Sequence, residues 1–129
     1  MDAMLGGTRM IKVFISQPMS GLTEKEILKQ REAAIVEAKT TLGDDIEILE
    51  SYLSSENIEV ARKWFERTNH CWKDDKHKYI WMLARSLTML SFADVVWLAD
   101  GWAASRGCNI ELREAINAEI PVYMQGKEI

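Results

Sequence analysis

Apolar residues fall into short runs at several points along the chain. Ile11–Ile15 and Ala93–Ala99 are rich in β-branched and aromatic residues. Runs that are apolar at consecutive positions are typical of strands buried on both faces. Ile46–Leu49 and Ile120–Met124 are shorter segments of similar character. The pattern therefore predicts four strands.

Between these strands, apolar residues recur at helical spacing. The first helix begins at a capping box, in which Thr23 is the N-cap and Glu26 reaches back to it, and it ends at Gly43. Three further helices are predicted over Asn57–Phe65, Tyr79–Leu90 and Cys108–Glu119. The resulting order, β-α-β-α-α-β-α-β, indicates a three-layer α/β domain with a mostly parallel sheet of the Rossmann or flavodoxin type.

The length suits one such domain, since domains cluster near ~100–150 residues. We expect residues 10–129 to form it. Residues 1–9 contain no long apolar core and no small-residue cleavage pattern, so we expect a disordered leader there rather than a signal peptide.

Charge and cysteine content narrow the functional classes. The 16 Lys and Arg residues are outnumbered by 20 Asp and Glu, for a formal net charge of −4, whereas proteins that bind nucleic-acid polymers present a basic face. His70, Cys71, His77 and Cys108 lack the spacing of a zinc site, so we expect no metal and two free thiols in a reducing cytoplasm. The longest apolar-rich stretch, Ile80–Leu98, is interrupted by charged and polar residues, so no membrane span is expected.

Two loops are candidates for ligand binding, because open α/β sheets bind ligands beyond the carboxyl ends of their strands. Both place small residues and hydroxyls before a helix, which suits an anion but is also ordinary helix capping. The first loop contributes Ser16, Gln17, Met19, Ser20 and Gly21, and the second contributes Asp100, Trp102, Ser105 and Gly107. Trp102 would either stack on a base or cover the edge of the core.

Glu111 and Asp94 are the candidate catalytic carboxylates. Glu111 lies in the first turn of the last predicted helix, and Asp94 begins a buried strand. Each position also has an ordinary explanation, since acids favour helix N-termini and Asp94 could accept a hydrogen bond from a neighbouring backbone amide. Two carboxylates near one pocket would suit glycosyl chemistry, in which one attacks the anomeric carbon and the other acts as acid and base.

Two segments carry a family resemblance. Ala93–Ala99 followed by Ser105–Ala115 resembles the signature of the nucleoside 2-deoxyribosyltransferase superfamily, and Phe14–Gly21 resembles its phage and bacterial branch. The resemblance implies that Glu111 is the nucleophile and Asp94 a catalytic aspartate, with no cofactor. It also implies a homodimer or dimer-based oligomer, for which the aromatic-rich region Trp64–Trp81 is the candidate interface.

One position separates the enzymes of this superfamily. Those that act on nucleosides resemble Asp-x-Gly-Thr there, whereas nucleotide hydrolases resemble Ser-x-Gly, as this chain does at Ser105–Gly107. A serine hydroxyl donates to a phosphate, and a carboxylate repels it. We therefore expect an N-glycosidase of a nucleoside 5′-monophosphate. A nucleoside 2-deoxyribosyltransferase, or a non-catalytic module that binds a nucleotide or NAD-like signal, stays open as an alternative.

Overall fold

A computed structural model of the chain describes residues 10–50, 52, 55–67 and 75–129. Its elements in chain order are β1 (Ile11–Ser16), α1 (Glu24–Leu42), β2 (Ile46–Ile48), α2 (Ser55–Arg67), α3 (Asp75–Leu90), β3 (Val95–Leu98), α4 (Arg106–Asn117), β4 (Val122–Met124) and β5 (Lys127–Glu128). A single turn of 3₁₀ helix, Trp102–Ala104, precedes α4. The expected leader over residues 1–9 and the middle of the expected interface region, residues 68–74, lie outside the described residues.

The strands form one sheet in the order β2-β1-β3-β4-β5. β1 pairs in parallel with β2 and β3, and β3 pairs in parallel with β4. This confirms the predicted α/β class with a mostly parallel sheet, and the order of the first four strands is that of flavodoxin-like folds.

The antiparallel strand β5 was not predicted. It pairs with β4 through a hairpin whose turn residues, Gln125 and Gly126, both have positive φ (51° and 78°). Two consecutive residues with positive φ are the requirement of a type I′ turn, for which Asn-Gly is the usual sequence. Here Gln125 stands in place of Asn, and the two residues of β5, Lys127 and Glu128, are charged and exposed. The sequence pattern therefore does not indicate a hairpin.

Successive residues of β1 face opposite sides of the sheet. Val13 and Ile15 pack against α1 on one side. Phe14 packs on the other side, in the cluster to which α3 and α4 contribute. Because side chains alternate along a strand, Ser16 shares the side of Phe14 and faces the layer of α3 and α4.

The predicted helix ends are partly right. Both halves of the α1 capping box are present, with Thr23 and Glu26 each accepting from the other's backbone N–H. However, α2 begins at Ser55 rather than after Asn57, and α3 begins at Asp75 rather than at Tyr79. α4 begins at Arg106, because the hydroxyl of Ser105 accepts from the backbone N–H of Cys108 and caps the helix there. Of the helices in the described part of the chain, none is long and apolar enough to cross a membrane.

Candidate active site

The two candidate loops meet at the carboxyl ends of β1 and β3. These strands are neighbours, with Ser16 opposite Leu98, and the backbone N–H of Ala99 donates to the carbonyl of Ser16 at 2.9 Å. The chain leaves β1 toward α1 on one side of the sheet and leaves β3 toward α4 on the other. Such a divergence is where ligands bind in doubly wound sheets.

A buried hydrogen bond joins the two loops at this edge. The hydroxyl of Ser16 lies 2.6 Å from Oε1 of Glu111, so the last residue of β1 donates to α4. Glu111 lies in the second turn of this helix rather than in the first as expected, because α4 begins at Arg106. Only 1% of Ser16 and 7% of Glu111 are exposed. The structure therefore brings together two of the residues that the sequence singled out.

Two further side chains surround the Glu111 carboxylate. Ser86 of α3 lies near it and favours its ionised form, which lowers the pKa of Glu111. Cys108 is buried one helical turn before Glu111, and its thiol interacts with the hydroxyls of Ser105 and Ser16. The sequence pattern does not predict a role for Ser86. Ser86 could have been noticed as a polar residue on an otherwise apolar helix face, since Leu83 and Leu90 lie at helical spacing before and after it.

Burial dominates the electrostatics of this carboxyl. Burial raises the pKa of Glu111 to about 7, although the hydrogen bond from Ser16 and the nearby hydroxyl of Ser86 lower it. A carboxyl that titrates near neutral pH is present in both forms there, and such groups are concentrated at functional sites. Burial also raises the pKa of the Cys108 thiol, which favours the less nucleophilic thiol form.

Asp94 lies at the other end of the sheet. It precedes β3, and its Oδ2 accepts from the backbone N–H of Lys12 at 2.9 Å. Ser16 follows Lys12 by four positions along β1, a distance of about 13 Å, whereas the two carboxyls of a retaining glycosidase are ~5–5.5 Å apart. The structure therefore does not form the expected pair of Glu111 and Asp94, because the residue before a parallel strand lies at the amino edge. Asp94 instead has the ordinary role considered for it, as the acceptor of a hydrogen bond from a backbone amide.

A buried polar network holds the start of the first loop. The side-chain amide of Gln17 donates to the backbone carbonyl of Ile27 at 3.0 Å. The guanidinium of Arg31 in α1 donates to the side-chain Oε1 of Gln17 at 3.4 Å and to the backbone carbonyl of Leu49 at 2.9 Å. Burial lowers the pKa of Arg31. Gln17 thus joins β1 to α1, and its expected contact with a ligand stays a prediction.

The rest of the first loop is more open. Met19 is half-buried, and Ser20 and Gly21 are exposed in a turn closed by the bond from Leu22 N–H to the Met19 carbonyl. Gly21 has a φ of 77°. These residues lie beside the carboxyl edge, so a ligand could reach them without rearrangement of the core.

The second loop packs closely against the first. Gly101 has a φ of 84°, and a Cβ there would lie 3.4 Å from Pro18. Trp102 donates its indole N–H to Sδ of Met124 at 3.1 Å and packs at the core edge, so it covers the core in this structure. Asp100 is exposed beside it, and Gly107 lies within the first turn of α4 rather than in the loop.

Comparisons of the chain with family models, curated proteins and solved structures found no match. The superfamily resemblance therefore stays a hypothesis that rests on the residues quoted for it. Across residues 10–50, 52, 55–67 and 75–129, no three His, Cys, Asp or Glu side chains are grouped to hold a metal ion.

Proposed function

We propose that the protein is an N-glycosidase that releases the base from a nucleoside 5′-monophosphate, with Glu111 as its nucleophile. The observation that carries this proposal is the buried Glu111 carboxyl at the carboxyl edge of the sheet, bonded by Ser16 at 2.6 Å. A carboxylate held out of water keeps little solvation to lose when it attacks. Burying an acid costs free energy, because its charged form is desolvated. A catalytic role for Glu111 accounts for that cost.

The reaction has two steps. Glu111 attacks C1′ of the sugar, the bond from C1′ to the base nitrogen breaks, and its electron pair leaves with the base, which takes a proton from water. A water molecule then attacks C1′, loses a proton to solvent and frees Glu111, which leaves the sugar 5-phosphate. The charge of the oxocarbenium-like transition state is opposite to that of Glu111 and is stabilised by it. Asp94 has no part in these steps.

Ser105 supports a phosphate on the substrate. Its hydroxyl oxygen accepts from the Cys108 N–H at 3.3 Å, and a hydroxyl that accepts a hydrogen bond can also donate one to a ligand. It also stands at the start of α4, where the helix dipole favours an anion. A cytoplasmic location suits this substrate and the free thiol of Cys108.

One observation favours a second candidate, a binding module without catalysis. Glu111 does not have Asp94 beside it, so the predicted pair of carboxylates is missing from the site. A nucleotide could then bind at the carboxyl edge without being cleaved. A base-exchange enzyme differs from the hydrolase only in its second step, in which an acceptor base rather than water attacks C1′.

A screen for released base separates these functions. The protein is incubated with each common nucleoside and its 5′-monophosphate, and free base is measured by liquid chromatography, with Glu111→Gln as the control. Release that depends on Glu111 and needs no added base supports the hydrolase, and release only with an added acceptor base supports the transferase. Binding of a nucleotide without release would leave the non-catalytic module.

The proposed assembly is tested separately. The expected homodimer would give a mass above that of a single chain in light scattering at micromolar concentration. A single-chain mass would contradict it.

A further inference from the structure

The hydroxyl of Ser16 has one hydrogen to donate, and the structure commits it to one oxygen of Glu111. Its distance to Oε1 is 2.6 Å, within the range of a bond between a hydroxyl and an ionised carboxylate, ~2.5–2.7 Å. Ser16 is almost completely buried, and its carbonyl accepts from the N–H of Ala99, which fixes its backbone to the end of β3. Rotation of the carboxylate would break the contact, so its two oxygens are not equivalent.

We propose that Ser16 is a positioning residue that gives the two oxygens of Glu111 different roles: Oε2 attacks the sugar, and Oε1 stays bonded to Ser16 through both steps. This rests on the function proposed for Glu111. In the first step, Oε2 bonds to C1′ while the bond from C1′ to the base nitrogen breaks, and its electron pair leaves with the base. In the second, water attacks C1′ and loses a proton to solvent, and the electron pair of the bond from C1′ to Oε2 returns to Glu111.

The bond from Ser16 has its largest effect on the second step. In the glycosyl ester, Oε1 is a neutral carbonyl oxygen, whereas in the departing carboxylate it shares a negative charge. A hydrogen bond to a charged acceptor is roughly twice as strong as one to a neutral acceptor, and a donor that is already in place needs no reorganisation when the charge develops. Ser16 therefore stabilises the departure of the carboxylate more than it stabilises the ester.

The same bond acts on the protonation of the free carboxyl. The groups that face Glu111 are the hydroxyl of Ser16 on β1, the hydroxyl of Ser86 on α3 and the thiol of Cys108 on α4. Burial keeps that thiol neutral, so none of the three brings a charge to the carboxyl. Burial favours the neutral form of Glu111, and a donated hydrogen bond favours the ionised form. Loss of the Ser16 hydroxyl should therefore also raise the pKa of Glu111.

The test measures the two chemical steps separately. With enzyme in excess over a nucleoside 5′-monophosphate, chromatography gives the rate of base release, and intact-protein mass spectrometry follows the sugar phosphate carried by Glu111. At a pH well above the pKa of Glu111, Ser16→Ala should lose this adduct about tenfold more slowly than the wild type. Its rate of base release should equal that of the wild type or exceed it, so the adduct accumulates.

A matched control removes a different serine hydroxyl. Ser91→Ala makes the same change at an exposed serine whose hydroxyl bonds the nearby backbone carbonyl of Thr88, and both of its rates should be those of the wild type. Two variants of equal shape then separate the hydroxyl of Ser16 from packing. Ser16→Thr keeps a hydroxyl and Ser16→Val lacks one, so the adduct should decay faster in the first than in the second.

A second measurement needs no substrate. Side-chain carboxyl carbons are followed by ¹³C NMR as a function of pH, and the Glu111 signal is identified by its loss in Glu111→Gln. In Ser16→Ala, the pKa of Glu111 is expected to rise from about 7 to about 8 or higher. A serine that only fills space would leave this pKa unchanged.

Failure of this proposal can be told apart from failure of the proposed function. If the wild type releases base but the adduct decays equally fast in Ser16→Ala, or if both steps slow equally, the role of Ser16 is wrong and the glycosidase stands. If the wild type forms no adduct and releases no base, the glycosidase proposal fails, and the roles of the two oxygens fail with it. A raised pKa of Glu111 in Ser16→Ala would then still show that Ser16 holds the carboxylate.

Discussion

The hydroxyl of Ser16 and the carboxylate of Glu111 meet at 2.6 Å although 95 residues separate them in the chain. The parallel pairing of β1 with β3 brings this about, because it puts the end of β1 beside the loop that leads into α4. A donor and a buried acid are thus fixed by the sheet rather than by a mobile loop. Sites built on regular elements hold their geometry most closely.

Replacing Glu111 by Gln tests the nucleophile. Gln keeps the shape and can still accept from Ser16, but it cannot form the glycosyl ester. We expect base release to fall by roughly 10³-fold or more, measured as kcat with saturating nucleotide, while circular dichroism stays that of the wild type. Glu114→Gln is the control, since Glu114 is exposed on the same helix. Wild-type turnover in Glu111→Gln would exclude Glu111 from the mechanism.

The raised pKa of Glu111 predicts how stability depends on pH. The folded state holds the proton more tightly than the unfolded state, with a pKa of about 7 against 4.5. The free energy of unfolding should therefore be unaffected by this group below pH 4.5 and should decrease as pH rises from 4.5 to 7, by about 3 kcal/mol in all. Urea unfolding at pH 4 to 8 measures it.

Glu111→Gln isolates this contribution, since Gln does not titrate. The wild type and the variant should differ most in stability above pH 7, where the variant is expected to be the more stable. Glu114→Gln should follow the wild-type curve. Parallel curves for wild type and Glu111→Gln would mean that the carboxyl is not desolvated as the structure indicates.

Local patterns accounted for most of the fold. The capping box at Thr23 and the apolar strands were readable because their signals lie within a few residues of one another. Ser16 and Glu111 could be placed at one edge because a mostly parallel sheet sends the carboxyl ends of its strands to the same side. The type I′ turn at Gln125 could not be read, since its sequence is unusual for that conformation.

The rest of the site depends on contacts between distant segments. The bond from Arg31 to Gln17 joins α1 to the end of β1, and Ser86 reaches Glu111 only once α3 packs beside α4. No short pattern encodes either contact. The predicted pairing of Asp94 with Glu111 is wrong for a different reason, because a residue that begins a parallel strand lies at the opposite edge of the sheet from the carboxyl ends.

Asp94 is therefore expected to act on stability rather than on turnover. Asp94→Ala removes the acceptor of the Lys12 N–H, and an unpaired donor there costs about 1–3 kcal/mol. Urea unfolding should show that loss, and kcat/KM at a temperature where the variant is folded should stay within about twofold of the wild type. Asp94→Asn keeps an acceptor oxygen and should lose less stability. Unchanged stability with abolished turnover would return Asp94 to the mechanism.

The last prediction concerns the choice between a nucleotide and a nucleoside. Ser105 caps α4, and Asp is as good an N-cap as Ser, so Ser105→Asp should fold with wild-type stability. It replaces a donor by a second negative charge where we place the phosphate. A hydroxyl bond to a charged group contributes about 1.5–3 kcal/mol, and 1.4 kcal/mol is a factor of ten, so kcat/KM for the nucleotide should fall by ~10- to 100-fold or more.

The matched nucleoside should behave differently in the same variant. It has no phosphate to repel, and its 5′-hydroxyl can donate to the new carboxylate, so its kcat/KM should hold or improve. Ser105→Asn, a neutral cap of the same shape as Asp, should cost the nucleotide less than Ser105→Asp does, because it adds no charge. If Ser105→Asp weakens nucleotide and nucleoside equally, Ser105 is a helix cap alone, and the preference for a 5′-monophosphate loses its main support.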